Sequence, residues 1–149
     1  MILYNEKGEI MITENEKDII EKLKTVLGYD APEITQEQFN NMVDYIMENE
    51  IQGGHTKELI WRLCGCYEGL NFNNVIDIFV DSRDAYYISE LVSYVDGNLD
   101  QEYLTKKMIK TNDLKFINDA MSNCGCAMIY SLDEKYLNEI RNFCNNETS

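Results

Sequence analysis

Four of the five cysteines fall in two Cys-Gly-Cys triplets, Cys64-Gly65-Cys66 and Cys124-Gly125-Cys126, and Cys144 stands apart. Four thiolates would suit zinc. Two geometric objections outweigh that reading. Cysteines two apart on a helix point about 200° away from each other. The triplets also belong to separate helical units, and helices pack about 8–10 Å apart, more than one ion spans. Buried cysteine acting as a small hydrophobe is the better account, and a cytosolic setting argues against structural disulfides. His55 is the only histidine. A thiol–imidazole pair with Cys64 or Cys66 would be the one route to nucleophilic catalysis. His55 follows Gly53-Gly54 at a helix start, however, the ordinary setting of an exposed turn residue. Gly53-Gly54-His55-Thr56-Lys57 lacks the Walker spacing of a phosphate-binding loop. Carboxylates are so numerous that no acid–base pair stands out. The residues predict no catalytic site, no metal and no cofactor.

The charge pattern carries more. The formal net charge of the 149 residues is −14, with a pI near 4.3. That disfavours direct contact with nucleic acid or an anionic membrane and permits steering toward a basic protein surface. From Thr25 to Thr56 there is no lysine or arginine, while Asp30, Glu33, Glu37, Asp44, Glu48 and Glu50 are acidic. Glu37, Asp44 and Glu48 recur at i, i+7 and i+11, one outward stripe opposite Phe39, Val43 and Ile46. Asn40 and Asn41 flank it. Glu37, Asn41, Asp44 and Glu48 are therefore the candidate partner-binding residues, against the plainer reading of a solvated helix face. Lys106, Lys107, Lys110 and Lys115 cluster later in the chain, which predicts an electrically polar molecule.

A recurring segment must position these groups. Thr56-Lys57-Glu58-Leu59-Ile60-Trp61-Arg62-Leu63, Asp84-Ala85-Tyr86-Tyr87-Ile88-Ser89-Glu90-Leu91 and Asp113-Leu114-Lys115-Phe116-Ile117-Asn118-Asp119-Ala120 start at residues 56, 84 and 113, so 28 and then 29 residues apart. Ile60, Ile88 and Ile117 coincide, as do Leu59, Tyr87 and Phe116, then Leu63, Leu91 and Ala120. These positions lie on one helix face. Asp84, Asp113 and Thr56 occupy the N-cap place. Gly69 and Gly97 are expected to close the helices. A second helix follows in each unit: Val75, Phe79 and Val80 match Leu104, Met108 and Ile109. The last unit carries an insertion, Ala127 to Tyr130, after which Tyr136-Leu137 matches Tyr103-Leu104 and Ser131-Leu132-Asp133-Glu134 reads as a capping box. A helix pair of this length cannot bury its apolar face alone and must stack on its neighbours.

These copies resemble the HEAT-like short α-helical repeats of bacterial and phage proteins, with Asp84-Ala85-Tyr86-Tyr87-Ile88 opening a helix and Lys107-Met108-Ile109-Lys110-Thr111 closing its partner. The resemblance covers about residues 56–144. It implies an α-solenoid fragment that binds proteins or nucleic acids through an extended surface, and it carries no catalytic residues.

Ahead of the repeats, Ile2-Leu3-Tyr4 and Ile10-Met11-Ile12 flank Asn5-Glu6-Lys7-Gly8, the pattern of a small β-hairpin. Thr13-Glu14-Asn15-Glu16 and Thr35-Gln36-Glu37-Gln38 are capping boxes for two helices, the first ended by Gly28 and the second broken by Gly53-Gly54. The expected organisation is one all-α domain: residues 1–54 a hairpin and capping helices, residues 55–149 stacked helix pairs, with seven to nine helices in all. No stretch approaches the roughly 20 apolar residues of a membrane span. Met1 is followed by no basic n-region and long apolar run, so the expected location is the cytosol. A single proline and abundant Asn, Lys, Ile, Glu and Tyr suggest a low-GC bacterium or its phage.

A small acidic helical chain of this kind is similar in type to phage or mobile-element counter-defence proteins, anti-CRISPR proteins among them. The leading expectation is a non-enzymatic inhibitor that occupies a basic, nucleic-acid-binding surface of a partner protein. The alternative is a toxin-neutralising immunity protein or assembly adaptor that binds through the solenoid face, with Trp61, Tyr86, Tyr94 and Tyr103 as its aromatics. An enzyme with an unrecognised site is the third.

Overall fold

The computed structural model describes residues 3–4, 10–11, 21, 23, 34–51, 53–65, 67, 69–95, 99–122 and 127–148. The chain is all-α in class. Its residues divide into two compact units, Met1–Arg62 and Leu63–Ser149.

In the first unit, Leu3–Tyr4 (β1) and Ile10–Met11 (β2) pair antiparallel, with Leu3 opposite Met11 and Tyr4 opposite Ile10. The loop expected between them lies outside the described residues. So does most of the helix expected after Thr13, of which Glu21 and Leu23 are helical and Leu23 is buried. Helix α1, Gln36–Glu48, opens on the capping box that its sequence predicts. The Gln38 amide donates to Thr35 Oγ1 at 3.1 Å, and the Thr35 amide donates to Gln38 Oε1 at 2.8 Å. Phe39, Met42, Val43 and Ile46 form its buried side. The helix ends before the glycines expected to break it. Asn49 is the C-cap and Glu50 follows in the left-handed region at φ 47°. Gly53, at φ 57°, opens a 3₁₀ turn to His55, and α2 runs Thr56–Cys64. Thr56 is the first residue of that helix, and its hydroxyl donates back to Ile51 O and Gly53 O, both at 2.7 Å.

The second unit is built from α3 (Asn73–Asp81), α4 (Ala85–Tyr94), α5 (Gln101–Lys110), α6 (Leu114–Ser122), α7 (Ala127–Ser131) and α8 (Glu134–Thr148). Helix α3 packs on α4 and α5, α4 packs on α6 and α7, α5 packs on α8, and α6 packs on α7. Next-but-one helices thus meet, as they must if each short helix is to cover its neighbour's apolar side. Ile60, Ile88 and Ile117 are all fully buried, and so are Leu63, Leu91 and Ala120. In the second helix of each pair, Val75 and Leu104 are buried alike, as are Phe79 and Met108. Leu137, matched to Leu104, is buried in α8.

The turns joining α3 to α4 and α5 to α6 repeat more faithfully than the caps. In Ser82-Arg83-Asp84 and Thr111-Asn112-Asp113 the central residue is left-handed, at φ 59° for Arg83 and 52° for Asn112. The amides of Arg83 and Asn112 donate to Val80 O and Ile109 O, each at 3.0 Å. The hydroxyls of Ser82 and Thr111 donate to Ile78 O and Met108 O, each at 2.6 Å. Left-handed backbone costs a non-glycine residue roughly 1–2 kcal/mol, and Arg83 offsets that with its side chain. Its Nη1 donates to Val80 O at 2.7 Å, its Nε lies 3.3 Å from Asp113 Oδ2, and its guanidinium stands 6.0 Å from the Phe116 ring centre. Arg83 therefore ties one repeat's turn to the next.

Three expectations need correction. Asp84 stands at the N-cap position of α4 but makes no side-chain cap, because its Oδ2 accepts from the Ser82 hydroxyl at 2.6 Å. Gly69 does not close a helix: α2 ends at Cys64, and Gly69, at φ 80°, lies in the following loop. Helix α4 ends at Tyr94 with Val95 as its C-cap, and Gly97 lies outside the described residues. Ser131 does not open the final helix either. It is the last residue of α7, and Asp133 precedes α8, with its carbonyl accepting from the Tyr136 and Leu137 amides.

Asp113 does cap α6, its Oδ1 accepting from the Phe116 amide at 3.0 Å. Asp113→Ala should therefore cost about 1–2 kcal/mol, the loss of a cap together with a weak exposed ion pair. Asp84→Ala should cost visibly less. Urea denaturation followed by circular dichroism would order the two.

Candidate functional site

Helix α1 presents Glu37, Asn41, Asp44 and Glu48 on its exposed side, opposite the buried Phe39, Met42, Val43 and Ile46. At 1.5 Å rise per residue, Glu37 and Glu48 are about 16 Å apart along the axis, with Asp44 between them. All four candidate residues thus share one surface. Asn40, beside them, accepts from Gln36 Nε2 at 3.1 Å. Glu37, in the first turn, complements the helix dipole, whereas Glu48 lies at the negative end. No basic residue occupies the last turn to relieve it.

Three lysines of the second unit, Lys106, Lys107 and Lys115, have acids close by. Lys106 meets Glu102 at 2.8 Å and Lys115 meets Asp119 at 3.5 Å, each one helical turn away. Lys107 reaches across to α3, 3.3 Å from Asp77 and 3.2 Å from Asp81. The Lys106–Glu102 hydrogen bond holds the Glu102 carboxyl below its ordinary range and the Lys106 ammonium above its own. These lysines act as local counter-charges rather than as an open basic patch.

The aromatics divide sharply. Trp61 is buried, with the guanidinium of Arg62, also buried, 5.3 Å from its ring centre. Tyr103 is half-buried, and its hydroxyl donates to Asp77 Oδ1 at 2.6 Å. Neither is available as an exposed contact. Tyr86 and Tyr94 on α4 are exposed, 48% and 36% of their surface. Tyr130 on α7, which sequence reasoning passed over, is 84% exposed. Its only signal in the sequence is its place in the insertion that interrupts the repeat.

His55, Cys64 and Cys144 are the cysteine and histidine residues among those described. His55 is exposed, with Nδ1 3.5 Å from Glu58 Oε2, and Arg62 Nη2 approaches the same carboxylate at 3.9 Å. Cys64 is buried at the far end of α2, about 13 Å along the helix from His55. Cys66, Cys124 and Cys126 lie outside the described residues. Among the described residues, no group of three or more His, Cys, Asp or Glu side chains is arranged to hold a metal ion. Cys144 is half-buried, and burial pushes its thiol pKa up, which disfavours the nucleophilic thiolate. It borders an open groove of about 490 Å³ between α6 and α8, floored by Met121 and Ile140 and rimmed by Asn118, Arg141 and Asn145. No helix of the described residues is long and apolar enough to cross a membrane.

No family model, curated protein or solved structure matches this chain.

The Asp77–Tyr103–Lys107–Asp81 cluster joins α3 to α5 and has a pH signature. The hydrogen bond to Asp77, reinforced by burial and the carboxylate's charge, raises the Tyr103 pKa above its ordinary value of 10.0. A raised folded-state pKa means that the stabilisation is whole below pH 10 and is lost as pH climbs through the raised value. Tyr103→Phe should cost about 1 kcal/mol at pH 8, and its difference from the parent should shrink above pH 10. Urea titrations at a series of alkaline pH values would show it.

Proposed function

We propose that this protein is a non-enzymatic, acidic protein-binding module that occupies a basic, nucleic-acid-binding surface of a partner protein, in the manner of phage or mobile-element counter-defence inhibitors. The observation that carries the reading is the exposed carboxylate stripe of α1 within a stretch, Thr25 to Thr56, that holds no lysine or arginine. A carboxylate at a helix C-terminus works against the dipole by about 0.3–1 kcal/mol. Glu48 accepts that cost, and a broken local rule is where function is to be sought.

We read the second unit as a short α-solenoid of HEAT-like pairs. Its support is the next-but-one packing of α3 on α5 and α4 on α6, with α5 meeting α8 beyond the short α7. The outward side of α8 is Glu134, Lys135, Asn138, Glu139, Arg141, Asn142, Asn145 and Asn146, all exposed. A polar outer face is what a terminal repeat needs to end a stack. The expected setting is the cytosol of a bacterial host. A second reading, an immunity protein or assembly adaptor, is favoured by the exposed tyrosines of α4 and α7.

The test is capture of a partner from host extract at low and high salt, followed by competition with DNA for that partner. The parent should release DNA from it. Reversing Glu37, Asp44 and Glu48 to lysine should leave the fold within about 0.5 kcal/mol per site and slow association steeply. Binding of the triple variant as tight as the parent's would refute the mimicry.

A further inference from the structure

We infer that the face formed by α4 and α7 is a second docking surface, shaped for an arginine-bearing segment of a protein partner. This rests on different residues from the α1 reading and stands or falls separately from it. Tyr86, Tyr94 and Tyr130 are the large apolar side chains left exposed among the described residues, and all three lie on two helices that pack together. Scattered exposed apolar groups need no explanation, whereas a concentration of tyrosines marks an interaction site.

Two of the three rings are braced. Tyr86 meets Tyr87 edge to face, with centres 5.3 Å apart and planes at 82°, and Tyr87 packs in turn on Phe79 at 5.7 Å. Tyr94 lies over the bare Cα of Gly65, where an added Cβ would overlap its ring. A side chain held this way loses little further rotamer freedom on binding, which is the advantage of a rigid aromatic anchor.

Charge selects the occupant. From Asp84 to Thr105 the chain carries Asp84, Glu90, Asp96, Asp100 and Glu102 and no lysine or arginine. From Phe116 to Glu134, which includes α7, it carries Asp119, Asp133 and Glu134 and again no basic residue. Glu102 and Asp119 are paired with Lys106 and Lys115, but Glu90 stands one helical turn from both Tyr86 and Tyr94. A carboxylate beside tyrosine faces favours a cation that can both stack and pair with it, and the planar guanidinium does both better than an ammonium. An anionic lipid surface or nucleic acid would meet repulsion from the same groups.

A short fluorescein-labelled peptide of alternating arginine and serine, titrated with the full chain at physiological ionic strength and read by anisotropy, tests this. The parent should bind it more tightly than the lysine–serine counterpart. Tyr86→Ser with Tyr130→Ser should weaken binding about tenfold, while Tyr86→Phe with Tyr130→Phe should keep it, because the rings remain. Reversal of Glu37, Asp44 and Glu48 on α1 should change it less than the serine pair does. In the parent, peptide-induced NMR shifts should centre on Tyr86, Glu90, Tyr94 and Tyr130, a readout that needs no variant to fold. Equal binding by parent and serine pair, shifts centred on α1, or preference for the lysine peptide would each overturn the inference by assigning the attraction to net charge alone.

Discussion

Helices of nine or ten residues are too short to persist in water by themselves, since nucleation is costly and few bonds follow it. Everything in the second unit depends on answering that constraint with shared apolar contact. Helices α3 to α6 are all of this length. Helix α3 meets α5 and α4 meets α6, and Ile88 and Ile117 are fully buried in that second pair. The turns must then return the chain at a constant angle. Ser82-Arg83-Asp84 and Thr111-Asn112-Asp113 do so with a left-handed central residue and hydroxyl-capped carbonyls. Arg83 couples turn to turn, so one side chain serves both local geometry and stacking.

The same constraint leaves the polar surface free to vary. With the interior given to aliphatic contact, charges lie outside, and their distribution is uneven. In the second unit Glu102 pairs with Lys106 and Asp77 with Lys107, although fourteen acids stand there against seven bases. The stretch from Thr25 to Thr56, which includes α1, holds six acids and no lysine or arginine. The proposed contact with a basic protein follows from this imbalance, not from net charge alone, because a uniformly acidic surface would steer without specifying where to dock.

Helix α7 occupies the segment that the sequence marks as an insertion. Helix α6 is followed by a five-residue helix rather than directly by its partner, and α7 packs on both α4 and α6. Tyr130 reaches solvent there, and the groove beside Cys144 opens between α6 and α8. An added turn of helix thus changes the surface without disturbing the buried Leu137 that continues the pattern.

Much was already decided by residue order. The helical class, the spacing of Ile60, Ile88 and Ile117, the capping box at Thr35 and the outward stripe of α1 all follow from periodicity and cap chemistry, which act over three or four residues. Helix ends were less legible. Glycine is the expected terminator at Gly53 and Gly69, but α1 ends on Asn49 and the left-handed Glu50, and α2 ends at Cys64. The tyrosines show the deeper limit. Trp61, Tyr86, Tyr94 and Tyr103 all read as candidate contacts in the sequence, and only the folded chain separates the buried indole and the hydroxyl bonded to Asp77 from the exposed rings of Tyr86 and Tyr94. Periodicity tells which side of a helix a residue occupies. Whether that side is covered depends on helices far along the chain, and an amphipathic pattern does not record their arrival.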